Sequence, residues 1–294
     1  MAIISLNDRR TSLQPTRTTG KEVSYFTSAQ FKEADPNPVF GGVTNGLYVH
    51  WDIGNSNSYG GSGTTITDLM GNGHNGTIKN PDNMSYTALT ASEPAHLTLS
   101  TSVTEDSAFI HRSTDYFDSI GTGDFTLEYW VNIYLRSGGN GMAIRNVANQ
   151  ASPYDENFTI YLHSNGRFVG SPWLNATAST SAGYWFYIDP YSTTAPYVSN
   201  SYNGWNHLVW SRIGTGTNNM YFYRNNSLVY NWTNKAQYND ACNETGEARS
   251  AWGGDSASDK LRGKFTIYRF YMYKGLTAAN VSTNYNDEKS RFGL

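Results

Sequence analysis

Gly71, Gly73 and Gly76 stand in the run GNGHNG at the spacing G-x-G-x-x-G, which in nucleotide-binding loops lets backbone amides cradle a pyrophosphate. That chemistry needs a helix opening at the third glycine and an acid roughly 20 residues further on. After Gly76 the chain reads TIKNPDNMSYTALT: a short extended piece, an Asn-Pro step and a polar loop. No kinase-type lysine strand or catalytic loop follows either. We therefore expect GNGHNG to be a turn whose Gly and Asn residues adopt left-handed backbone conformations.

Glycoside hydrolysis with retention needs two carboxylates about 5–5.5 Å apart. Asp124 and Glu128 share one face of a candidate strand, but extended chain separates them by about 13 Å. Asp155 and Glu156 are adjacent, so on a strand they point to opposite faces. Carboxylates brought together from different strands remain open. His50, His74, His96, His111, His163 and His207 follow no metal-ligand spacing, and there is no G-x-S-x-G. Cys242, the single cysteine, lacks the local signature of a nucleophile and excludes an intrachain disulfide.

A third group is aromatic. Trp173, Tyr184, Trp185, Tyr187 and Tyr191 crowd residues 172–203, where loop chemistry is expected. Such side chains stack on sugar rings, contact another subunit, or simply pack, and the spacing does not choose among these. Trp130, Trp205 and Trp210 lie within strand-like segments and are expected to fill a core.

The elements that must position these groups are strands. The chain has 294 residues, with 22 Tyr, 13 Phe and 8 Trp, and only 15% charged residues against roughly 25% in an ordinary domain. Richness in β-formers and turn-formers disfavours long helices. Segments such as GLYVHWDIG, FTLEYWVNIY, WNHLVWSRI, NMYFYRN and KFTIYRFYMY are bounded by Gly, Asn or Ser. In FTLEYWV, Phe125, Leu127, Tyr129 and Val131 fall on one face, and Thr126, Glu128 and Trp130 on the other. HSNGRF and YRNNSL read as hairpin turns. The one credible helix is LTAANVSTNYNDEKSRF, capped by Thr277, with Val281 and Tyr285 one turn apart. A net charge of −3 gives no electrostatic footprint for nucleic acid, and no apolar segment approaches the roughly 18 residues that cross a bilayer.

Residues 1–42 differ: they carry three prolines, five basic residues and no sustained periodicity. They read either as a free tail or as an extended arm whose Phe26, Phe31 and Phe40 anchor on a neighbouring subunit. MAIISLNDRR places its apolar run before charge, the reverse of a secretory leader, so synthesis in a cytoplasm without a signal peptide is expected.

From residue 43 to the C-terminus the order of blocks resembles a known family. GLYVHWDIGNSNSYGGSGTTITDLMGNGHNGTIKN, then GDFTLEYWV, then GWNHLVWSR with the following hairpin, then KFTIYRFYMYKGLTAANVSTNYNDEKSRFGL, is similar to the concanavalin A-like, laminin-G-like jelly-roll domains of phage and marine-virus structural proteins. One departure is Tyr268 and Arg269 in the last strand, where relatives often carry an acidic pair; another is the enlarged segment 172–203. The resemblance implies an all-β, antiparallel jelly-roll β-sandwich (43–294) with a short C-terminal helix; residues 1–42, read above as an extended N-terminal arm, lie outside it. It implies a non-enzymatic virion structural protein that oligomerises with itself or other virion proteins and aids attachment to a host surface. The alternatives are a carbohydrate-binding adhesin module and, third, a polysaccharide depolymerase. Calcium in rim loops also comes with the resemblance, with Asp52, Asp115 and Asp118 as candidate ligands.

Overall fold

Alternation along the strand segments produces two antiparallel sheets that bury a shared core. The computed structural model describes residues 40–99, 109–112, 120, 123–133, 143–147, 156–162, 168–171, 186–187, 204–214, 219–232, 249–252 and 263–294. The first sheet contains β1 (Leu47–Asp52), β4 (Met84–Thr87), β5 (His96–Leu99), β7 (Phe125–Ile133), β12 (Trp205–Ile213), β13 (Asn219–Arg224), β14 (Ser227–Trp232) and β16 (Gly263–Met272). Its order is β14-β13-β12-β7-β16, with β5 and β1 both on the far side of β16 and β4 beyond β5. The second sheet contains β2 (Thr65–Ile66), β3 (Gly76–Lys79), β6 (Phe109–Arg112), β8 (Ala143–Val147), β9 (Glu156–Leu162), β10 (Phe168–Ser171), β11 (Phe186–Tyr187) and β15 (Arg249–Trp252). Its order is β11-β10-β9-β8-β15-β6-β3-β2. This is the all-β sandwich expected from the sequence.

The core between the sheets follows the period of two. Phe125, Leu127, Tyr129 and Val131 of β7 join Leu208 and Trp210 of β12 and meet Ile66, Ile78 and Ile110 of the second sheet. On β16 the alternation breaks: Phe265, Tyr268 and Phe270 all face this core. A bulge between Phe265 and Ile267 inserts Thr266 and resets the phase. At the same point the partner of β16 changes from β5, paired with residues 263–265, to β1, paired with residues 267–271. Thr266 holds the join by accepting from Ile53 N at 2.9 Å and donating to Ala95 O at 3.2 Å.

Two local expectations are met in detail. Between β13 and β14, Asn225 and Asn226 have φ of 46° and 65°, the left-handed pair that a tight hairpin requires. The C-terminal helix α1 (Ala278–Glu288) has Thr277 as its N-cap, with a capping box closed by Asn280, and continues into a 3-10 turn (Lys289–Phe292). No helix among the described residues is long and apolar enough to cross a membrane. The GNGHNG run joins β2 to β3, which pair antiparallel, so the helix a nucleotide loop requires is replaced by a strand. Gly71 and Gly73 take φ of 73° and 79°, whereas Asn72 and Asn75 do not enter the left-handed region, so only the glycines meet that expectation. Gly76 is tightly packed instead: a Cβ there would lie 3.1 Å from Ile110 Cγ2 and 3.2 Å from the Trp51 ring, so those side chains would have to shift.

Candidate functional site

Sequence separation hides an extended polar cluster among the described residues, which forms on the outer face of the first sheet. Residues that alternate with the core side chains, Glu128 on β7, His207 on β12 and Arg269 and Tyr271 on β16, would reach solvent in a bare sandwich. Here α1 and the 3-10 turn lie over them, and Glu128, His207 and Arg269 are 0% exposed. Register makes the pairing: Glu128 faces Arg269 directly across the β7–β16 ladder. Arg269 Nη1 donates to Glu128 Oε1 at 2.8 Å, and Arg269 Nη2 donates to Glu288 Oε1 at 2.5 Å. Asn284 Nδ2 donates to Glu128 Oε2 at 2.6 Å, and His207 Nε2 lies 3.1 Å from Oε1. Arg291 closes the cluster with two 2.8 Å bonds to the two oxygens of Asp52 and one of 2.8 Å to Glu288 Oε2.

The electrostatics decide what this cluster can do. Burial alone would push Glu128 up, but Arg269 and His207 outweigh it and hold the carboxyl at about 2. Asp52 behaves alike: burial raises it, Arg291 lowers it further, and it settles at about 2. Burial and then Arg269 drive His50 down to about 3, so it is neutral and its Nε2 accepts from Arg269 Nε at 3.2 Å. Each acid is thus a sealed anion with a fixed cation. A general acid would need the opposite, a raised pKa and reach to a glycosidic oxygen. The cluster clamps the C-terminal segment to the sheet.

An aromatic stack continues the clamp. Trp130 lies against Phe292 with ring centroids 4.0 Å apart and 8° between planes, and Tyr285 stacks at 5.8 Å. Trp130 and Trp210 are buried, while Trp205 is half-buried beside Phe292. So Trp130 fills a packed layer, though one outside the inter-sheet core.

The other sequence candidates scatter. Phe40 rests on its own chain, with the Arg269 guanidinium 3.6 Å from its ring centre and the His50 ring at 5.5 Å. The next residues are tied to α1: Gly41 N donates to Asp287 and Val43 N to Asn284, at 3.0 and 2.8 Å. Phe26 and Phe31 lie outside the described residues. So do Trp173, Tyr184, Trp185 and Tyr191; Tyr187 falls on β11, the edge strand, opposite Val169 of β10. For calcium, Asp52 does not fit: both its oxygens accept from Arg291, and Oδ1 also from Gly54 N at 2.8 Å, so a cation would have to displace a guanidinium. Asp115 and Asp118 lie outside the described residues, and among the described ones no three His, Cys, Asp or Glu side chains group to hold a metal. Asp68 serves structure, its carboxylate accepting from the backbone N–H of His50, Met70 and Asn72 and so fastening the GNGHNG turn.

The clamp residues carried little signal in the sequence. An Arg alternating with aromatics in KFTIYRFYMY and a Glu likewise in FTLEYWV are a cross-strand pair only once the register is known.

Fold and clamp together define a two-sheet antiparallel sandwich closed at one face by its C-terminus. No family model and no curated protein matches the chain. Solved structures do match in fold. One is the binding domain of botulinum neurotoxin DC in complex with rat synaptotagmin II, at TM-score 0.55 and 15% identity over 82% of this chain and 51% of that one. Another, from work on cell entry of botulinum neurotoxin type C and its dependence on two ganglioside molecules, gives TM-score 0.55 and 15% identity over 82% and 50%. A third, the binding domain of Paraclostridial Mosquitocidal Protein 1, gives 0.51 and 14% over 82% and 52%. The chain spans about half the length of each. At these identities the likeness is one of fold.

Proposed function

We propose that the chain is a non-catalytic recognition module whose ligand is a cell-surface glycan. The observation that carries this reading is the fold, which over 82% of the chain follows toxin binding domains, one of them described with gangliosides. The chemistry of the sandwich runs the same way. Glu128, the strand carboxylate that a hydrolytic reading would use, is spent on Arg269 inside the clamp. Within the aromatic segment 172–203, β11 (Phe186–Tyr187) is an edge strand of the second sheet, and loops beside a sheet are where binding residues commonly sit. Trp173, Tyr184, Trp185, Tyr187 and Tyr191 are the residues we assign to the ligand.

Display on a virion is the finer form of this reading and rests on the order of sequence blocks from residue 43 onward. Many copies held by residues 1–42 would raise avidity without a strong single site. Calcium, in that form, would draw on Asp115 and Asp118.

The test is a glycan array probed with the full chain in multivalent form, followed by Trp185→Ala and Tyr187→Ala. Binding to a defined glycan class that falls at least tenfold in these variants is expected. A blank array overturns the reading. Release of reducing sugar from a bound polysaccharide overturns its non-catalytic half.

A further inference from the structure

Residues 40–43 lie against the C-terminal lid formed by α1 and the 3-10 turn, and their sequence is fitted to it. Phe40 is half-buried, and its ring covers the Arg269 guanidinium at 3.6 Å, while the His50 ring meets it edge-on at 5.5 Å. Two glycines then let the backbone lie close to α1. A Cβ on Gly42 would collide with the Phe40 ring and stand 2.6 Å from Asn284 Oδ1. Gly41 N donates to Asp287 Oδ2 at 3.0 Å, and Val43 N to Asn284 Oδ1 at 2.8 Å. Those two acceptors are neighbours on one face of α1.

Asn284 joins this strap to the charged layer. Its carbonyl oxygen accepts from Val43, and its amide nitrogen donates to Glu128 Oε2 at 2.6 Å and to Tyr271 Oη at 2.8 Å. Phe40 makes the second link, because the guanidinium under its ring is the one that holds Glu128 and Glu288. Ion pairs of this kind are strong only while water is kept away from them. Uncovering Arg269 therefore weakens what fixes α1 to the sheet.

The contacts are also unequal in a way that sets an order. Lifting α1 carries Asn284 and Asp287 away and so breaks both strap bonds. Lifting the strap breaks no bond between α1 and the sheet. The strap is the weaker of the two as well: Phe40 and Val43 are only half-buried, and the Gly41 bond is exposed. The lid has the buried ion pairs of Arg269 and Arg291 and the stack of Phe292 on Trp130.

We propose that residues 40–43 are a latch on the C-terminal lid: the strap opens first, and α1 lifts from the sheet only from the unlatched state. A ligand that takes hold of the freed strap then favours the open lid, by the difference in its affinity for the two states.

Hydrogen exchange of the full chain at neutral pH tests the order of opening. In the wild type, the amides of Gly41 and Val43 should exchange no more slowly than those of Val281, Asn284 and Tyr285 in α1. Phe40→Ala should speed exchange in α1 about tenfold, and Phe40→Leu, which keeps an apolar cover, about threefold. Gly42→Ala pushes the ring off its seat and should match Phe40→Ala. In all three, Leu127 and Tyr129 on β7 should change only by the global loss. A Val43 amide more protected than α1 overturns the latch, because the lid then opens beneath a closed strap. Unchanged exchange in α1, or equal acceleration of α1 and β7, overturns it too. Failure of all three variants to fold also overturns it, since the strap is then part of the core.

Discussion

On one face of β7, Phe125, Leu127, Tyr129 and Val131 meet the second sheet; on the other, Thr126, Glu128 and Trp130 meet the C-terminal segment. Both faces exclude water, and they do so by different means. The inner face is held by area: apolar burial has no preferred direction and tolerates swaps of similar volume. The outer face is held by charge, through Glu128, Arg269, Glu288, Arg291 and Asp52, each satisfied only by a particular partner in a particular place. Such a layer adds less net stability than a hydrocarbon layer would, because desolvating the ions offsets much of their attraction. What it adds is position. An amphipathic helix can slide on an apolar sheet, whereas α1 is fixed by Asn284 and Glu288 to Glu128 and Arg269.

The sharpest way to break this comparison is to remove one ion. Arg269→Ala strands Glu128 and Glu288 without their shared cation, and we expect a loss of about 3–5 kcal/mol. The double change Glu128→Leu with Arg269→Leu should lose less than Arg269→Ala alone, since no charge is then left unpaired on that strand pair. Denaturant unfolding of the three proteins checks this. A double change as damaging as the single would mean that the outer layer is held by packing, like the inner one.

Acid separates the two faces next. Glu128 falls from an ordinary 4.5 to about 2 in the folded state, and Asp52 from 3.8 to about 2. Unfolding frees both to bind protons at higher pH, so their contribution is complete above about pH 4.5 and is lost as pH drops toward 2. His50, held down from 6.5 to about 3, acts in the same direction, since the unfolded chain takes up its proton first. It extends the loss upward to pH 6.5. Wild-type stability should therefore decline progressively from pH 6.5 to 3, and the double leucine variant should decline less. Parallel acid limbs for the two proteins would count against the clamp as the seat of the effect.

The inner face could be read in the sequence because its rule is local. Alternation in FTLEYWV, the paired asparagines of YRNNSL and the threonine before AANVSTNY each act within a few residues, and each is realised. The outer face could not, because its rule is long-range: 239 residues separate Asp52 from Arg291, and 141 separate Glu128 from Arg269. Asp52 thus looked like a free loop carboxylate with oxygen to offer calcium, and it is one half of an ion pair. Trp130 shared a strand face with Thr126 and Glu128, so the pattern said that this face is mixed but not that a helix covers it. The substitution of Tyr268 and Arg269 for an acidic pair was visible as a departure. Its meaning, an inward tyrosine and an outward arginine that pairs with Glu128, needed the bulge at Thr266 and the register it sets.

The smallest effect tests whether the outer layer opens by itself. Thr277 Oγ1 accepts from Asn280 N, and Asn280 Oδ1 accepts from Thr277 N at 3.3 Å, so the cap satisfies amides that the first turn of α1 leaves over. Thr277→Ala removes that cap and should cost about 1 kcal/mol. Its location matters more than its size. Only α1 is touched, so amides of α1 should exchange with deuterium faster, while those of Leu127 and Tyr129 on β7 should change only by the global loss. Uniform acceleration across β7 and α1 would mean that lid and sandwich unfold as one unit. Faster exchange confined to α1 would mean that the charged layer is a hinge-side seam, opening on its own while the apolar core stays shut.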